Sequence, residues 1–116
     1  MRAVVLGVAI LLVSVTAKAQ YRVVVGQGTS SCSEWTQESP RRTARANSMA
    51  NWAIGFVAGA NVFQEDDRKD FLSELTTPQA LSGWIDKYCK ENPLDVLGTA
   101  ASKLVLELRA RREKSP

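Results

Sequence analysis

The chain has 116 residues, 45% of them hydrophobic and 23% charged, with a formal charge of +3, two cysteines and no histidine. That length fits one domain, and the composition excludes collagen-like, coiled-coil and wholly disordered chains. Without imidazole, Ser-His-Asp and Cys-His catalysis and the common catalytic zinc sites are excluded, so a non-enzymatic protein with no cofactor and no metal is expected.

Residues 1–19 have the form of a secretory signal. Arg2 is followed by the uncharged run Ala3 to Val15 and then by Ala17-Lys18-Ala19, a small-x-small cleavage pattern. The run is shorter than the roughly 20 apolar residues of a spanning helix. Cleavage before Gln20 and a periplasmic or secreted protein are therefore expected, without stable membrane insertion. Removing the signal takes Arg2 and Lys18 with it, leaving +1 on 97 residues. No clustered basic face remains to suggest a nucleic-acid partner.

Residues 20–30 read as an extended arm. Val23 to Val25 is β-prone, and Gly26 and Gly28 break it; no second strand is evident to pair with it. Gly26-x-Gly28 lacks the further glycine or lysine of a phosphate-binding loop and reads as a flexible linker. Ser31 to Glu38 predicts a short helix capped by Ser31 with Glu34 three residues on, putting Cys32 and Trp35 on one face. Pro40 ends it. A long helix is predicted over 41–60, with Ala44, Ser48, Trp52, Phe56 and Ala60 in one row and Met49, Ala53 and Val57 beside it. Gly55 and Gly59, four apart, predict close approach of another backbone. Asn61 suits the helix end. Asp70 is placed to cap a short helix through Leu75. Thr77-Pro78 opens the next helix, whose core face is Leu81, Trp84, Ile85, Tyr88 and Cys89. Asn92-Pro93 repeats the device ahead of a last stripe of Leu94, Leu97, Ala101, Leu104, Val105 and Leu108.

The expected fold is thus all-α: a small orthogonal or bundle-like domain over 31–114, with three main helices and one or two short ones. In an exported chain, Cys32 and Cys89 are expected to form one intramolecular disulfide. Two unpaired buried thiols or an intermolecular bond are the alternatives. The staple would close a loop of about 58 residues, worth roughly 4 kcal/mol in the chain-entropy account.

Four candidate features remain. Glu65, Asp66, Asp67 and Asp70 carry oxygen ligands, but Arg68 and Lys69 interrupt them and no EF-hand glycine follows, so a solvated cluster is expected. Arg41, Arg42 and Arg45, like the C-terminal arginines, read as solvated helix ends. Trp35, Trp52, Phe56, Trp84 and Tyr88 are either core or an apolar surface used on a partner; their spacing fits both. The expected partners are a protein or unfolded clients, with a homodimer left open.

The order Ser31-Cys32-Ser33-Glu34-Trp35, a helix, Cys89 closing a later helix, and a final amphipathic helix resembles the HdeA/HdeB-like periplasmic acid-stress proteins. Cys32 and Trp35 match that family's Cys-x-x-aromatic helix, and Cys89 its second cysteine. The layout agrees over nearly the whole mature chain, while exact motif residues are few. The resemblance implies a chaperone that loosens in acid and exposes apolar surface to clients. A second likeness is to Rap1a/Tai-type immunity proteins. The segment Trp52-Ala53-Ile54-Gly55-Phe56-Val57-Ala58-Gly59 is similar to their glycine-containing helix, and Ile85 to Leu108 to their closing pair. The extra cysteines usual there are missing. This likeness implies neutralisation of a delivered toxin.

Overall fold

A computed structural model describes residues 23–64, 70–72 and 76–114. The signal segment 1–19, Leu75 and the acids Glu65, Asp66 and Asp67 lie outside the described residues. The fold is all-α: α1 (Cys32–Glu38), α2 (Ala44–Val62), α3 (Pro78–Glu91) and α4 (Leu97–Lys114), with 3-10 turns at Gly26–Thr29 and Ser39–Arg41. One short and three long α-helices are the set that the periodicity predicts.

Local chemistry explains most boundaries. At α1 the Ser31 hydroxyl accepts from the Glu34 N–H at 3.1 Å, and the Glu34 carboxylate accepts from the Ser31 N–H at 2.8 Å, a complete capping box. After Glu38 the chain tightens into the turn containing Pro40, and Arg42 takes a left-handed conformation (φ 52°). That turn moves the start of α2 to Ala44, three residues later than predicted, where Thr43 caps by accepting from the Ala46 N–H. Thr77 and Pro78 open α3 as expected.

The start of α4 needs correction. Asn92-Pro93 does not begin it, and Leu94, assigned to its apolar stripe, is 96% exposed. The reason is a tertiary backbone contact. Cys32 N–H donates to the Asp95 carbonyl (2.7 Å), and Leu97 N–H to the Ser30 carbonyl (2.8 Å). This isolated antiparallel bridge between Ser31 and Val96 keeps 95–96 out of the helix, so α4 begins at Leu97.

Cys32 and Cys89 are bonded, with Cα atoms 4.7 Å apart and both residues fully buried. The bond joins α1 to α3 at the centre of the core. Around it pack Trp35, Met49, Ala53, Val57, Ile85, Leu97, Ala100 and Leu104. In α2 the buried row is Ala46, Met49, Ala53 and Val57; Ala44 and Ser48 are exposed, and Trp52, Phe56 and Ala60 are half-buried. The core thus lies along the adjoining row rather than the one led by Trp52. Between α2 and α3, the side chain of Asn61 ties residues 70 and 71 to the end of α2. Its amide donates to Asp70 (2.9 Å) and its oxygen accepts from the Phe71 N–H (3.0 Å), which seats the buried Phe71. Residues 70–72 form a bend; the rest of the short helix expected through Leu75 lies outside the described residues.

The linker reading of Gly26-x-Gly28 is also overturned. The turn is docked between α2 and α4. The Trp52 indole N–H donates to the Val25 carbonyl at 2.9 Å, and a Cβ added at Gly28 would lie 2.3 Å from the Trp52 ring. On the other side, a Cβ at Gly98 would lie 2.8 Å from Val24 and 3.0 Å from the Gly28 carbonyl. Two glycines far apart in sequence therefore let the segment sink onto the helices.

Candidate protein-binding surface

The five candidate aromatics separate by environment. Trp35 is core, 2% exposed, and its indole N–H donates to Asp86 at 2.7 Å; the Ser39 hydroxyl donates to the same carboxylate oxygen. Trp84 and Tyr88 are half-buried and stacked, centroids 5.3 Å apart and planes 11° apart. Trp84 donates to Glu107 (2.8 Å) and Tyr88 to Asp95 (2.5 Å). The hydrogen bond to Asp95, then burial, then the nearby Asp95 charge push the Tyr88 hydroxyl up to about 12. Three aromatic N–H and O–H groups are thus held by carboxylates from a neighbouring element or loop. Trp52 and Phe56 stack at 5.4 Å and lie half-buried on the flank of α2.

Gly55 and Gly59 do not serve as predicted. Among the described residues nothing lies within 4 Å of a Cβ built at either one. The packing pressure expected there is absent because the core row of α2 runs along Met49, Ala53 and Val57, on another side of the helix. Gly28, which the sequence reading gave to a flexible linker, and Gly98, which it did not single out, are the glycines in close contact.

Reasoning from sequence also missed the surface to which these groups belong. At 100° per residue, Trp52, Phe56 and Phe63 fall within about 40° of one another, with Gly55, Gly59 and Val62 on the solvent side of that line. Val62 is 70% and Phe63 87% exposed, and beside Trp52 the arm leaves Val25 76% exposed. No residue from Val23 to Ser33 or from Ala46 to Gln64 is charged. Thirty residues at the chain's 23% charge would carry about seven. The fold brings both uncharged stretches together through the Trp52–Val25 hydrogen bond. The signal was present in the sequence as two charge-free runs, but only the fold joins them. Scattered apolar side chains are ordinary on a surface; a joined patch with no charge is the composition of an interface centre.

Elsewhere exposed charges accompany the exposed Leu94 and Leu106. Arg45 pairs with Glu34 and Arg111 with Glu107, and the Arg109 guanidinium lies 5.7 Å from the centre of the Phe71 ring. Asp86, Lys87, Lys90 and Glu91 stand exposed on α3. Among the described residues no group of three or more Cys, Asp or Glu side chains is arranged to hold a metal ion, and no helix is long and apolar enough to cross a membrane.

The chain matches no known protein family, no curated protein and no solved structure.

Proposed function

We propose that the protein is an exported, non-enzymatic helical binding module that engages other proteins through the uncharged surface of α2 and the arm. The observation that supports this is the joining of two charge-free stretches into one patch with Trp52, Phe56, Val62 and Phe63 on it. Aromatic anchors in an uncharged patch are the usual energetic centre of a protein interface.

The more specific proposal is an HdeA-like periplasmic acid-stress chaperone. The carboxylates Asp86, Asp95 and Glu107 hold Trp35, Tyr88 and Trp84. Titrating all twelve acids takes the mature chain from +1 to about +13 near pH 2. Self-repulsion then loosens the helices while the Cys32–Cys89 bond keeps α1 and α3 together. With no histidine, loosening is expected nearer pH 4 than about pH 6. The purified mature protein is expected to suppress aggregation of an unfolded client at about pH 2–3 and less at neutral pH. Equal aggregation with and without it in acid would refute the chaperone reading.

A second reading, a Rap1a/Tai-like immunity protein or inhibitor of a secreted toxin or enzyme, is favoured by a different feature. The uncharged patch stands ready in the folded chain and needs no loosening. It predicts one stoichiometric partner retained at neutral pH from envelope extract; an empty pull-down counts against it.

A further inference from the structure

We infer that the exposed end of α4 docks on an anionic phospholipid surface and holds the protein there without entering the bilayer. The inference does not rest on the uncharged patch of α2.

Leu108 is the last buried residue of α4, and the helix continues through Arg109 to Lys114 with every residue exposed. These six residues carry Arg109, Arg111, Arg112 and Lys114 against one acid, Glu113, a net charge of +3. The other 91 residues of the mature chain hold nine bases and eleven acids, or −2. The positive excess of the mature chain is therefore carried by this tip, and a negative surface turns the tip towards itself. The helix dipole complements cations here, but it amounts to about half an elementary charge. Glu107 pairs with Arg111 and offsets one more, and the Arg109 guanidinium lies over Phe71. Among the described residues Arg112 and Lys114 have no acid partner.

The arrangement of the cations selects the kind of surface. At 100° per residue Arg111, Arg112 and Lys114 fall about 200°, 300° and 140° around the axis from Arg109, so they encircle the tip. A folded protein partner reads one face through a fixed pattern of charges, and a ring of long, flexible cations presents no such face. A nucleic-acid groove takes a helix along its length, yet before the tip α4 offers only Lys103 against Glu107. The ring fits a partner that is laterally uniform and negative, the headgroup layer of a bilayer rich in anionic lipid. Three of the four cations are arginines, whose planar fork takes phosphate oxygens in pairs. The contact stays among the headgroups, because Ala110 is the one uncharged residue of the tip.

The test is co-sedimentation of the protein, as processed and exported by its host, with vesicles of phosphatidylglycerol and phosphatidylcholine in equal parts, against phosphatidylcholine alone, at neutral pH. Binding to the anionic vesicles only is expected, fading as salt rises from about 0.01 to 0.3 M. Arg112→Gln combined with Lys114→Gln is expected to weaken it about 30-fold. Lys87→Gln combined with Lys90→Gln removes the same charge from α3 and is expected to change it less than about threefold. All four side chains are exposed, so both doubles are expected to keep the wild-type circular dichroism spectrum. No preference for anionic vesicles, or equal weakening by the two doubles, overturns the inference. Duplex DNA bound as tightly as the anionic vesicles overturns it as well. None of these results touches client protection in acid or capture of a toxin, which are read separately.

Discussion

Four glycines divide according to what lies opposite the missing side chain. Gly28 and Gly98 are closed in by Trp52, Val24 and backbone, while Gly55 and Gly59 face open space. Gly28→Ala is expected to destabilise the fold by about 1–3 kcal/mol, because the new methyl must displace the Trp52 ring. Gly55→Ala should stabilise it by about 0.5–1 kcal/mol through helix propensity alone. Urea denaturation midpoints that move in opposite directions would check both. Sequence spacing points to the wrong pair here: i, i+4 glycines are conspicuous inside a helix, while the partner of Gly28 lies 24 residues away and becomes visible only once the chain is folded. Tyr88 supplies a pH test. Its folded value, pushed up to about 12 by the bond to Asp95, exceeds the ordinary value of 10.0. The folded chain therefore holds that proton more tightly than the unfolded one. The contribution to stability is complete below pH 10 and is lost as pH rises from there towards about 12. Asp95→Asn is expected to move Tyr88 ionisation back towards its ordinary value, read by ultraviolet titration of tyrosinate with Tyr88→Phe as the reference for Tyr21.

Elements with their own caps were legible. Ser31 with Glu34, and Thr77 with Pro78, mark the starts of α1 and α3, because the bonds that end a helix there come from neighbours in sequence. Ser31→Ala should cost about 1 kcal/mol, measurable as a lower thermal midpoint, since it removes the acceptor for the Glu34 N–H. Boundaries made by distant backbone were not legible. Asn92-Pro93 has the same local form as Thr77-Pro78, yet α4 waits until Leu97 because Ser30 and Cys32 take the backbone bonds of Asp95 and Leu97. The buried side of α2 was misjudged for a related reason. Trp52 and Phe56 have the size of core residues, but the arm docks on Trp52 and holds it at the flank.

At the scale of the molecule, the all-α class and the Cys32–Cys89 staple were readable from periodicity, size and an even cysteine pair. The candidate surface was not. Each charge-free run is unremarkable alone, and sequence offers no means of knowing that residues 23–33 and 46–64 share a side of the protein. The fold sorts them: charge gathers along α3 and α4, and the uncharged residues 46–64 and 23–33 meet where Trp52 bonds Val25.

The bond between Cys32 and Cys89 also divides the chain into a closed ring and two free tails. α1, α2 and α3 belong to the ring, whereas α4 follows it and the arm precedes it. Drawn out by its ends while oxidised, the protein can lengthen only through residues before Cys32 and after Cys89, since the ring transmits the pull directly from one cysteine to the other. The two tails meet at the bridge of Ser31 with Val96, immediately outside the ring. That bridge ties the arm to the start of α4, and the two tails are held to the ring by the buried face of α4 against α2 and α3 and by the arm docked on Trp52.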